Sequence, residues 1–228
     1  MLLPSNHCNK KTLACQQLSF FLLCLTFLAS CQRPALPKER ALTDYFQLQP
    51  PTDTLLIEIS EETEVSKIGD TIPNALFFST LPPTLLQEID YLADSAQAVV
   101  FGRQHFSLND KLEAYWVEIH QFWFKHHSLL VYDKAGKTFT DRVTIAEWYG
   151  GDGGQVLIGS WIFDFDGDGK KDILRRDIQH SLVPDGETAL ERTEESAALL
   201  LWKNGHFVET PLPDTAAAVR RYPIRTLW

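Results

Sequence analysis

From residue 55 onward the chain consists of short apolar runs separated by polar turns. Segments 98–101, 114–124, 128–132, 139–148 and 156–163 are rich in β-branched and aromatic residues and are predicted as strands. Leu55-Leu56-Ile57-Glu58-Ile59 predicts an earlier one. The breaks carry turn residues: Asn109-Asp110, Lys134-Ala135-Gly136-Lys137 and the glycine-rich stretch 150–154. Leu199-Leu200-Leu201-Trp202, then Asn204-Gly205, then Phe207-Val208, predicts a hairpin, because Asn-Gly suits the two positive φ angles of a type I′ turn. In 156–163, Val156, Ile158 and Ile162 alternate with Leu157, Trp161 and Phe163, so this strand should be covered on both faces. Helical signals are few. Thr84 and Gln87 have capping-box spacing ahead of Leu85, Leu86, Ile89 and Leu92, and a short helix is predicted over 215–221, stopped by Pro223. Strands joined by short turns predict a mainly β fold, an antiparallel meander arranged as a sandwich or a partial propeller-like sheet, with one or two short helices.

The first thirty residues follow another pattern. Lys10 and Lys11 are the only charged residues there, and residues 18–28 read LSFFLLCLTFL. That run fits the roughly 7–15 residue apolar region of a secretory signal and falls short of the ~20 residues needed to cross a bilayer. Leu28-Ala29-Ser30-Cys31 follows. This tetrapeptide resembles the lipobox of bacterial lipoproteins. The resemblance implies cleavage before Cys31, a diacylglycerol on its thiol and an acyl chain such as palmitate on the new amino terminus. Several acyl chains hold a protein on a bilayer where one does so only marginally. Gln32 stands where an Asp would imply retention at the inner membrane. The expected location is therefore the cell envelope, lipid-anchored, outer membrane in preference to inner, facing the periplasm or the surface. Similarity of the chain as a whole is to bacterial lipoproteins without an assigned activity, which implies no reaction.

Composition then narrows the picture. The four cysteines are Cys8, Cys15, Cys24 and Cys31, so the exported part has neither a disulfide nor a thiolate metal site. The net charge of −9 becomes two charges more negative when Lys10 and Lys11 leave with the signal, which argues against nucleic acid as a partner. Residues 31–53 contain Pro34, Pro37, Pro50 and Pro51 and read as a tether, although Tyr45, Phe46 and Leu48 could dock on the domain. The expected organisation is a signal peptide over 1–30, a lipidated tether over 31–53 and one β-rich domain over 54–228.

One segment carries distinctive chemistry. Asp164-Phe165-Asp166-Gly167-Asp168-Gly169-Lys170-Lys171-Asp172 sets acids at alternate positions, with glycines that allow a tightly wound loop. A hard cation such as calcium takes six to eight oxygens, and such a loop can aim its carboxylates at one point. An EF-hand does not fit, because its twelfth position would be Arg175 and its flanks read as strands. The pattern resembles the calcium loops of FG-GAP and VCBS-type repeats. It implies calcium held by the side chains of Asp164, Asp166, Asp168 and Asp172 and by the carbonyl of Lys170. No second acidic loop and no repeat accompanies it, so a propeller is not implied.

Other candidates are set aside on chemistry. Stretch 150–154 lacks the Lys-Ser/Thr ending of a phosphate loop, and Asp152 lies a whole strand away from the acidic loop. Glu61, Glu62 and Glu64 read as a solvated turn. His120, His126 and His127 lack zinc-ligand spacing and read as polar strand-end residues, and the tryptophans at 116, 123, 148, 161 and 202 read mainly as core. No Gly-x-Ser-x-Gly elbow, dinucleotide fingerprint or isolated acid–base pair is present. The expected function is a non-enzymatic, calcium-stabilised binding or structural module with a protein or glycan partner. The alternatives are an envelope hydrolase with catalytic carboxylates of no familiar pattern and a carbohydrate-binding accessory protein.

Overall fold

The computed structural model describes residues 40–50, 52–59, 69–86, 97–151, 153–185 and 188–226. The signal segment, Cys31, Glu61, Glu62, Glu64 and Asp152 lie outside these residues. So does the second half of the helix expected from Thr84, of which Pro83–Leu86 (α2) is described. A compact unit begins at Ala41, and Leu42 and Phe46 are buried in it. The folded domain therefore takes in part of the stretch read as tether.

Among the described residues all eleven strands join one sheet, so the expected meander is realised as a single, mostly antiparallel sheet. The eight long strands follow chain order. These are β4 (Val99–Ser107), β5 (Leu112–Gln121), β6 (Phe124–Asp133), β7 (Thr138–Gly151), β8 (Gly154–Phe163), β9 (Asp172–Asp185), β10 (Thr188–Lys203) and β11 (His206–Thr210). Each pairs antiparallel with the next, as short turns require. Three short strands attach at the margins. β1 (Gln47–Leu48) runs parallel to β4, β2 (Leu55–Ile57) pairs with the end of β8, and β3 (Asp70–Ile72) pairs with β4. The Asn204-Gly205 turn has φ of +54° and +91°, the geometry that its sequence predicts.

The sheet buries apolar side chains on both faces. A central core gathers Ala114, Leu129, Val131, Val143, Ile145, Leu157, Ile173 and Trp202, spanning β5 to β10, with Ile57 and Ile59 beside them. β4–β6 are covered by the segment 42–46 and by α1 (Asn74–Thr80), which bring Leu42, Phe46 and Phe77 onto Val100, Val117 and Ile119. At the far end, α3 (Thr215–Arg221) lays Ala218 over Leu174, Leu199 and Leu201, with Trp161 and Phe163 alongside. β8 is thus apolar on both faces, with Leu157 and Ile162 in the central core and Trp161 and Phe163 packed towards the C-terminal helix. Asp214 caps α3 by accepting from Ala217 N at 2.8 Å. No helix among the described residues is long and apolar enough to cross a membrane.

One boundary differs from expectation. The aromatic run 114–124 is not a single strand. Phe122 and Trp123 form the two-residue turn between β5 and β6, and Phe122 has φ +56°. The ten-pair register between the two strands fixes the turn there despite side chains that disfavour it.

Candidate metal loop and the polar clusters of the sheet

The acidic loop connects β8 to β9. Gly167 (φ +79°) and Gly169 (φ +82°) take the left-handed backbone that winds it. Asp164 organises the turn, since its two oxygens accept from Gly167 N at 2.7 Å and Gly169 N at 2.9 Å. Asp172 anchors the exit. It is 2% exposed, and its oxygens accept from Trp202 N at 2.8 Å and Phe165 N at 3.0 Å. Burial pushes its carboxyl above the usual range against those two donors. Lys171 ties the loop to the incoming chain by donating to the carbonyls of Thr52 and Asp53 at 2.6 and 2.7 Å.

Carboxylate oxygens of Asp164, Asp166 and Asp172 all lie within 4.8 Å of one another. Two oxygens on opposite sides of an ion bound at about 2.4 Å are roughly 4.8 Å apart, so the three can ligate one cation. Asp164 and Asp166 open to solvent and Asp172 closes the floor. An all-oxygen donor set suits a hard ion. Asp168 is not gathered with them. Its Oδ1 accepts from Lys170 N at 2.9 Å, its Oδ2 pairs with the Lys170 ammonium at 2.5 Å, and that hydrogen bond holds its carboxyl below the usual range. Of the four aspartates expected at the ion, the structure brings together three.

A second charged group sits where the sequence suggested only polar strand-end histidines. His126 and His127 are buried, and as neighbours on β6 they point to opposite faces. On the face of the central core, Glu118 takes hydrogen bonds from Arg103, His120 and His127. Burial lowers the pKa of His127, so its ring is neutral at pH 7. Trp116 Nε1 donates to His127 Nδ1 at 3.1 Å, which places the ring proton on Nε2, facing Glu118 Oε2 at 3.4 Å. On the opposite face, His126 Nδ1 meets Glu147 at 3.1 Å, while its Nε2 faces Ser128 Oγ at 2.6 Å and Arg142 Nη1 at 3.3 Å. Burial again holds the ring neutral. The clue in the sequence was Trp116, Glu118 and His120 at period two, three polar-capable side chains on one face of an otherwise apolar strand.

These shifts set a pH dependence. Burial of Glu118 would raise its pKa, but the hydrogen bonds from His120 and His127 and the charge of Arg103 outweigh it and hold the carboxyl far below the usual range. Both histidines and Glu118 thus have folded-state pKa values below their unfolded ones. Their stabilisation is complete above the unfolded pKa and is lost as pH falls. The melting temperature should drop first below pH ~6.5, where unfolded histidines take up protons that the fold refuses, and again below ~4.3. Thermal unfolding across this range checks it, and a flat profile between about pH 8 and 5 would count against neutral buried rings.

Two larger cavities lie at the two ends of β8. One of about 810 Å³ lies beside the loop, among Leu48, Pro50, Leu55, Phe106 and Ile162, with Lys171 at its rim already bonded to the Thr52 and Asp53 carbonyls. The other, about 620 Å³, opens at the opposite end of β8. Gly150, Gly151 and Gly154 border it, and the pairing of β7 with β8 continues to Gly151 and Gly154. No protein-family model, no curated protein sequence and no solved structure matches this chain.

Proposed function

We propose that this chain is an exported lipoprotein, held on a bacterial envelope membrane through lipid on Cys31, whose β domain carries one structural calcium ion and serves as a non-enzymatic binding module. The observation that carries the calcium reading is the convergence of Asp164, Asp166 and Asp172 at the mouth of a loop pinned by β8, β9 and β10. Asp168 joins these ligands by leaving Lys170, and the Lys170 carbonyl and water supply the rest. The ion offsets repulsion among the carboxylates and fixes the turn, while no reacting group lies in the loop. Glu118 supports the non-enzymatic reading, because a carboxylate held ionised by three donors has no proton to give and little basicity.

The test is thermal unfolding in chelator and then in calcium. Exported calcium modules bind at about 10⁻⁴–10⁻³ M. At the tight end of that range, 1 mM free calcium adds about 1.4 kcal/mol, a rise of roughly 3–6 °C for a domain of this size. Asp166→Ala should abolish the rise. Superimposable melting curves, with no heat of binding, would sink the calcium reading. Anchoring has its own readout: Cys31→Ser should leave the protein unlipidated and release it from membranes. An intact mass showing an unmodified cysteine in the wild type would refute it.

A further inference from the structure

We infer that the 620 Å³ cleft beyond the β7–β8 hairpin is a binding site for a neutral polysaccharide chain, an inference that rests on the reading of the domain as a binding module. Its volume falls within the range of small-ligand sites, roughly 300–1,000 Å³. Trp123 and Trp148 supply indole rings to it, with Tyr149 beside them. Trp148 also packs on the central core, so the cleft is the open end of the core-bearing face. Trp123 comes from the β5–β6 turn and is 61% exposed, yet its ring is oriented, because Nε1 donates to Gly150 O at 3.1 Å. A large, oriented, solvent-facing ring gives contact area at little entropic cost on binding.

Around the rings stand donors and acceptors. Gln155 accepts from Trp148 Nε1 at 3.2 Å through its Oε1, which sets its amide nitrogen as a donor on the wall. Glu191 adds an acceptor, and His180 borders the same space. Sugar rings match this combination, with flat C–H faces for the indoles and hydroxyls that both give and take hydrogen bonds. Among the described residues the cleft lining has no lysine or arginine; Lys125 Nζ lies outside that lining, 5.9 Å from the Trp148 ring centroid. The chain as a whole is acidic, so phosphorylated or carboxylated ligands are disfavoured.

A second observation is independent of the cleft. Phe122 holds φ +56° at 68% exposure, in a two-residue turn where Asn or Gly would fold without strain. A bulky residue in the left-handed region costs free energy, and such strain concentrates at functional sites. Folding alone gains nothing from presenting Phe122 and Trp123 to water. A ligand chain lying across the turn gains two adjacent rings, whose centroids are 6.1 Å apart.

The experiment uses the full chain in a non-glycosidic detergent. Chitohexaose, cellohexaose and maltohexaose are titrated separately to millimolar concentration, and tryptophan fluorescence and heat of binding are followed. A neutral hexapeptide serves as the competing class. At least one hexasaccharide should bind, and Trp123→Ala should weaken it by about tenfold or more with an unchanged melting temperature. Phe122→Asn should also weaken binding while melting at the same or a higher temperature. The readout is independent of the metal loop, since saccharide binding should persist in chelator whether or not calcium raises the melting temperature. Binding by none of the three saccharides, undiminished binding by Trp123→Ala, or tighter binding of the peptide would each overturn the proposal.

Discussion

Replacing Glu118 with alanine should lower the melting temperature by roughly 6–20 °C, equivalent to about 3–5 kcal/mol. Glu118 is 5% exposed and its carboxylate faces Arg103, 8% exposed, and the neutral His127 ring. Truncation removes the acceptor that faces both the Arg103 Nε and the His127 Nε2 proton. A guanidinium then remains in a site that water reaches poorly, with its carboxylate counter-charge removed. Glu118→Gln keeps the shape and an acceptor oxygen but not the charge, so its loss should be smaller. Because the carboxylate is strongly stabilised in the ionised form, the alanine variant should also lose the component of acid sensitivity that begins below pH ~4.3. Unfolding curves of both variants test this, and a drop under about 2 °C for Glu118→Ala would show that water or a neighbour replaces the carboxylate.

Arg176→Met should be comparably destabilising, by about 3–5 kcal/mol, and should also loosen the C-terminus. Arg176 is 1% exposed on β9, and every bond it makes reaches a different part of the chain. Nη1 donates to the carbonyls of Val219 and Tyr222 at 2.7 and 2.6 Å, meeting acceptors that the end of α3 leaves without intrahelical partners. Nη2 pairs with Glu195 at 2.6 Å, and Nε donates to Ser196 O at 3.2 Å. Methionine fills similar volume and removes every donor. Lysine should rescue little, because a single ammonium cannot reproduce the fork that serves four acceptors. A helix of seven residues does not hold itself in water, so losing this clamp should free it. Trypsin should then cut after Arg220 or Arg221 well before the domain unfolds globally. Wild-type rates of cleavage there, with wild-type stability, would show that Ala218 and its apolar neighbours hold the helix unaided.

What the sequence determined by itself was local. The Asn204-Gly205 turn, the helix over 215–221 with Asp214 ahead of it, and the β character of the long apolar runs depend on backbone preferences and on periodicity, which travel with the residues. The acidic loop belongs here too, since acids and glycines at fixed spacing set its winding wherever it is placed. Only the tertiary structure decided which of those acids meet. Asp172 is drawn to the loop floor by Trp202 N, thirty positions along the chain. Pairing likewise overrode composition at Phe122-Trp123, where ten cross-strand pairs place a turn in an aromatic run. In β10 the polar segment Glu191–Ser196 shows no strand periodicity, yet it is a strand because β9 satisfies its backbone. Residues 42–48 read as tether because prolines and polar residues dominate their surroundings. They dock because Leu42 and Phe46 find an apolar face that β4–β6 create only after folding. The buried set Arg103, Glu118 and His127 comes from three strands, and a charge is tolerable in a core only where long-range pairing delivers its partners.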